Sequence, residues 1–210
     1  MDYRQAIIFI IIVSFVAYRI YRKKMRNRRG YLIDTFQFPE TISQKIIERY
    51  PHLSAQQTLL VMDGLRDYFH VCNLAGKKMV SMPSQVVDVA WHEFILFTKQ
   101  YENFCQKALG QFLHHTPAEA MHSPTVAQSG IKTAWKICCQ RENLTPGSPT
   151  RLPLLFALDN KLEIPDGFNY ALDCTTLGTG DYCATHIGCT GSGSGSTSGC
   201  GGDSSGCGGD

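Results

Sequence analysis

The chain lacks the signatures that mark the commonest enzyme classes. It has no glycine-rich phosphate loop, no dinucleotide fingerprint and no Ser-His-Asp order. No C-x-x-C occurs, which excludes a thioredoxin-like redox pair and a C-x-x-C-H haem attachment. No segment alternates apolar and polar residues for long enough to form a sheet. A broad basic face is missing too. Of the 20 Lys and Arg, seven lie between Arg19 and Arg29, and removing those seven charges from a net of +2 leaves the rest at −5. That balance argues against a global basic patch, and no nucleic-acid partner is expected.

What is present begins with "AIIFIIIVSFVAY", Ala6 to Tyr18, an uncharged aliphatic and aromatic run. It is short of the roughly 20 residues a membrane span needs, but Tyr3 to Tyr21 reaches that length with aromatic residues at both interfaces. A cleaved signal peptide carries its basic residues before the apolar run and a small-residue cleavage site after it. Here the basic run "RIYRKKMRNRR" follows and no A-x-A appears, so the segment reads as an uncleaved anchor. The positive-inside rule then predicts a single-pass inner (cytoplasmic) membrane protein with its C-terminal domain in the cytoplasm. The basic run would lie against anionic headgroups. In that reducing compartment the nine cysteines are expected as thiols or metal ligands; with the opposite orientation the five from Cys174 to Cys207 become disulfide candidates.

From Tyr31 the pattern is that of amphipathic helices. "PETISQKIIERY" places Ile42, Ile46 and Ile47 on one face. Ser54-Ala55-Gln56-Gln57 is a capping box opening a helix with Val61, Leu65, Tyr68, Phe69 and Cys72 on one stripe. Ser84 is the next N-cap, of a helix expected to run to Gly110. Ser123-Pro124 opens a fourth, with Val126, Gly130, Ala134, Trp135 and Cys138 on its stripe, and a short apolar helix follows around Leu152 to Leu158. After Asp173 twelve of the 19 glycines appear and Lys and Arg vanish. The expected organisation is therefore an all-α protein. It has a transmembrane anchor with a basic juxtamembrane segment (residues 1–30), a cytosolic helical bundle (31–172) and a flexible, disordered Gly/Ser/Cys-rich tail (173–210).

The centre of interest is "VDVAWHEFILFTKQYENFCQKALGQFLHHTP", Val87 to Pro117. On a helical wheel Val87, Ala90, Trp91, Phe94, Thr98, Tyr101 and Cys105 share one face, so most of it is core. His92 lies off that face, one turn after Asp88, where a carboxylate can fix an imidazole's tautomer. A turn at Gly110 would bring His114 and His115 back towards the same end. Asp88, His92, His114 and His115 then offer nitrogen and oxygen donors suited to zinc or another divalent metal. The same residues also suit a buried hydrogen-bonded pair that pins two helices, or a catalytic His–carboxylate pair. D-x-x-x-H and H-H do not choose among these. Cys183-x-x-His186-x-x-Cys189 offers three further soft donors in the tail.

The stretch resembles the bacterial, membrane-anchored branch of the glycine-rich domain-containing protein-like family. The shared pattern is V-D-x-x-W-H, then F-T-x-x-Y-x-x-F-C, then G-x-F-x-H-H-x-P. The matching positions are Val87, Asp88, Trp91 and His92; Phe97, Thr98, Tyr101, Phe104 and Cys105; and Gly110, Phe112, His114, His115 and Pro117. The resemblance implies that Asp88, His92, His114 and His115 belong to one site, and it implies no reaction. The expected function is a membrane-tethered helical module that binds a protein partner, with a possible metal site. The alternative is a metal-dependent hydrolase using the same four residues.

Overall fold

The computed structural model describes residues 3–115, 124–172, 182–183 and 187. It is mostly helical. In order come α1 (Tyr3–Thr35), α2 (Glu40–Arg49), α3 (Ala55–Ala75), α4 (Gln85–Ile95), α5 (Thr98–Phe104), α6 (Pro124–Arg141) and α7 (Leu154–Lys161). Helix α1 is long and apolar enough to cross a membrane, and the apolar stretch is wholly exposed on the protein itself. It continues without a break through the basic run. Its last turn is held by Arg66, which donates to the carbonyls of Ile33, Asp34 and Phe36 and so satisfies the orphan acceptors of the helix end.

Helix α3 is the hub, touching α1, α2, α4, α6 and α7. Its start is the capping box: Ser54 Oγ accepts from Gln57 N at 3.2 Å and Gln57 Oε1 accepts from Ser54 N at 2.8 Å. Val61, Leu65, Tyr68, Phe69 and Cys72 are all buried. In α2, Ile42 and Ile46 are buried but Ile47 is exposed. Gly64 lets α3 lie close against α4 and α7; a Cβ there would sit 2.5 Å from Leu158 and 2.9 Å from Val87.

The helix expected from Ser84 to Gly110 is three pieces. Helix α4 stops at Ile95, α5 starts at Thr98, and a π-helical turn runs from Cys105 to Leu109. No Pro or Gly causes the break. Packing does: Leu96 and Thr98 turn to solvent, while Phe94, Tyr101 and Phe104 all remain in the core. The rings of Phe36, Phe38, Phe69, Phe94 and Phe104 meet there, at centroid separations from 4.6 to 6.2 Å. The π turn ends at Gly110, whose φ of +75° favours glycine and whose N–H bonds the Cys105 carbonyl at 2.9 Å.

The start of α4 has a second anchor, from the far end of the domain. Asp159 on α7, 2% exposed, accepts from Ser84 Oγ (2.6 Å), Gln85 N (2.6 Å), Val86 N (3.2 Å) and Phe168 N (2.8 Å). A carboxylate at a helix N-terminus satisfies orphan donors and complements the helix dipole.

The buried stripe of α6 contains Gly130, Ala134, Trp135, Cys138 and also Cys139; the side chain of Val126 lies outside the described residues, as does Ser123. Beyond α7, Tyr170–Ala171 (β1) pairs in parallel with Tyr182–Cys183 (β2). Cys183 is buried and Ile187 packs against the core, so these residues beyond position 172 return to the bundle. Cys183 is also disulfide-bonded, where a reducing cytoplasm would leave a thiol. The remaining tail positions, with His186 and Cys189, lie outside the described residues. Cys72, Cys105, Cys138 and Cys139 are free and buried. Burial pushes the Cys72 thiol up to about 12, so it is packed and protonated rather than a nucleophile.

Candidate metal centre

Three of the four expected site residues converge. Ligand atoms of Asp88, His92 and His115 all lie within 4.8 Å of one another. Asp88 and His92 are one turn apart on α4, and Asp88 Oδ2 is 3.4 Å from His92 Nδ1. Asp88 Oδ1 accepts from His115 Nε2 at 3.1 Å. The outward nitrogens, His92 Nε2 and His115 Nδ1, are 3.3 Å apart. Asp88 and His115 are largely covered, with side chains 20% and 14% exposed, while His92 is 49% exposed. His114 is not part of this cluster; its ring is exposed and packs on Phe112 at 4.8 Å.

The core builds the site. After Gly110 the chain doubles back, and Gln111 Nε2 donates to the Gly76 carbonyl at 2.9 Å. Trp91 Nε1 donates to Tyr101 Oη at 3.1 Å, and Tyr101 in turn donates to the Leu113 carbonyl. That chain fixes the return segment two residues before His115. Trp91 then meets the His115 ring edge to face at 4.7 Å. Trp91 and Tyr101, read from the sequence as core, are thus also the residues that position His115. Sequence offered no signal for that role beyond their place on the wheel. Glu93 lies about 100° round α4 from His92, and its charge, after the hydrogen bond and charge of Glu48, helps to raise the Lys45 amine on α2.

The arrangement has two chemical readings. With one proton between the two imidazoles, His92 donates to His115, which donates to Asp88: a relay fixed at its buried end. Alternatively a cation takes the place of that proton. Two nitrogens each about 2.05 Å from a tetrahedral ion are separated by about 3.3 Å, which is the spacing here. Both rings would then turn their remaining N–H groups to the two oxygens of Asp88, the carboxylate–histidine arrangement that commonly backs a bound metal.

Fold and site together define a helical domain carried on an apolar helix of membrane-spanning length, with an Asp–His–His cluster at its surface. The chain belongs to the UCP032817-like family, an uncharacterised family whose model matches residues 28–188. The matched region contains Asp88, His92, His114 and His115 and extends past β2. No curated protein and no solved structure is detectably similar to the chain.

Proposed function

We propose that the chain is a single-pass, membrane-tethered helical module that binds one divalent metal ion, zinc being the best match, and presents this site to a protein partner at the membrane face. His92 Nε2 and His115 Nδ1 supply the protein ligands, and Asp88 orients both rings from behind. The observation that carries this reading is the 3.3 Å separation of the two outward nitrogens over a shared carboxylate. The resemblance from Val87 to Pro117 to the membrane-anchored glycine-rich domain-containing protein-like branch supports the tether, and the basic run after Tyr18 supports a cytoplasmic domain. The disulfide at Cys183 argues for the opposite side.

A second reading has one observation in its favour. The half-exposure of His92 leaves the outer coordination positions open to water, as a metal-dependent hydrolase requires. Glu93, the acid adjacent in sequence, lies about 100° round α4 from His92 and is a poor general base.

The test is the metal content of the purified full-length chain. Close to one equivalent is expected in the wild type and in His114→Ala, and none in His92→Ala or His115→Ala. Asp88→Asn should weaken binding by about 10–100-fold, the usual cost of losing a carboxylate behind a ligand histidine. A wild-type chain that binds no zinc on titration leaves the proton relay as the role of the cluster and refutes the metal reading.

A further inference from the structure

A cleft of about 340 Å³ lies where α1 leaves the membrane-spanning segment and docks on α3 and the end of α6. Its lining includes Arg26, Asp34, His70, Asn73 and Arg141. The helices run antiparallel here: Asn73 Nδ2 donates to the Arg26 carbonyl at 3.1 Å, and His70 Nε2 lies 2.6 Å from Asp34 Oδ1. The C-terminal end of α3 therefore points towards the spanning segment. With a rise of 1.5 Å per residue, Arg26 sits about 7.5 Å beyond Tyr21, within the headgroup layer if the span ends there.

The donors and acceptors in the cleft are sorted. The Arg26 side chain is exposed and lines the cleft. Arg141 binds Asp67 through Nε and one terminal nitrogen, at 2.9 and 2.8 Å, which leaves other guanidinium N–H groups for a ligand. Asn73 is only 8% exposed, and its Oδ1 is buried without a hydrogen-bond partner, closed off from the cleft by the packing around it. Asp34 is the exposed acceptor beside it. Two cationic forks for an anion, with a carboxylate beside them for hydroxyls, match a phosphodiester whose headgroup carries hydroxyl groups.

We propose that this cleft binds the headgroup of an anionic phospholipid of the phosphatidylglycerol type, drawn from the bilayer that α1 spans. Arg26 and Arg141 hold the phosphate, and Asp34 accepts from the headgroup hydroxyls. The inference rests on the tether reading and adds to it a lipid partner. It separates site binding from the diffuse attraction of the basic run, because Arg28 carries the same charge on the same helix and does not line the cleft.

The experiment uses the full chain in nanodiscs of phosphatidylcholine with a minor fraction of phosphatidylglycerol. Incorporation is scored first, and lipid retained on the released protein is then counted by native mass spectrometry. The expected result is one phosphatidylglycerol on the wild type and on Arg28→Gln, and at least about fivefold less on Arg26→Gln, the weight of one arginine at an anionic surface. Equal losses in the two variants, or equal retention of phosphatidylcholine, would overturn the proposal. An Arg26-dependent adduct with inorganic phosphate and none with lipid would assign the cleft to a soluble phosphate and overturn the lipid source. Failure of the chain to enter nanodiscs overturns the tether and this inference together. Normal incorporation with no retained lipid overturns the inference alone.

Discussion

Replacing Asp159 by Asn changes one oxygen into an NH2 group and leaves the volume almost unaltered. Each carboxylate oxygen serves two donors: Oδ1 takes Ser84 Oγ and Val86 N, and Oδ2 takes Gln85 N and Phe168 N. An amide keeps one such site. Whichever way it turns, its NH2 faces at least one backbone N–H that has no other acceptor nearby. An orphaned buried donor costs about 1–3 kcal/mol, and the lost charge at the N-terminus of α4 adds about 0.3–1 kcal/mol. One such donor and the lost charge together give about 1.3–4 kcal/mol. For a protein of this size that lowers the melting temperature by roughly 3–16 °C. Circular dichroism melting of the full chain in detergent measures it. Because α4 carries Asp88 and His92, metal stoichiometry is read alongside, well below the transition, where it should be unchanged. Ser84→Ala, which removes one cap hydroxyl, should cost only about 1 kcal/mol. A loss in Asp159→Asn no larger than that of Ser84→Ala would refute the view that Asp159 anchors the start of α4.

Three further outcomes are expected. Burial raises Cys72 from 9.0 to about 12 and Cys139 to about 11, so above pH 9 the unfolded chain loses thiol protons that the native one keeps; stability should be level below that pH and fall from pH 9 towards 12, and a flat alkaline urea titration would contradict it. Truncation after Leu172 removes Cys183 and Ile187 from the core and should lower the melting transition; unchanged melting would show that the β1–β2 pairing adds nothing. Reporter fusions after Gly30 and at Asp210 should be active only as cytoplasmic reporters, and replacing the seven basic residues from Arg19 to Arg29 by Gln should scramble that topology; periplasmic activity at both points would reverse the orientation and fit the disulfide at Cys183.

Local chemistry was legible in the sequence, and long-range chemistry was not. The Ser54–Gln57 box, the Ser84 cap and the Gly110 stop each depend on a few adjacent residues, and each stands where the sequence places it. The break between α4 and α5 carries no Pro or Gly, because it follows from how Phe94, Tyr101 and Phe104 pack together. Asp159 looks like one more acid on a short helix, since its partners Ser84 to Val86 are more than seventy positions away. At the site, the Asp88–His92 spacing was readable because helices have a fixed period. The choice between His114 and His115 was not, because they lie in an irregular return where no period applies. The cleft residues His70 and Asn73 read as ordinary members of α3.

Helix α1 passes from its apolar stretch to its Arg66-held end without a hinge. Its docked part therefore moves as one piece with the apolar part. From Tyr21 to Thr35 it forms an arm about 21 Å long. A change of 10° in helix tilt then displaces the far end by about 4 Å and turns the whole bundle with it. With α1 spanning a bilayer, as proposed above, bilayer thickness, which sets such tilts, becomes a mechanical input to the domain, read out as its angle to the membrane surface.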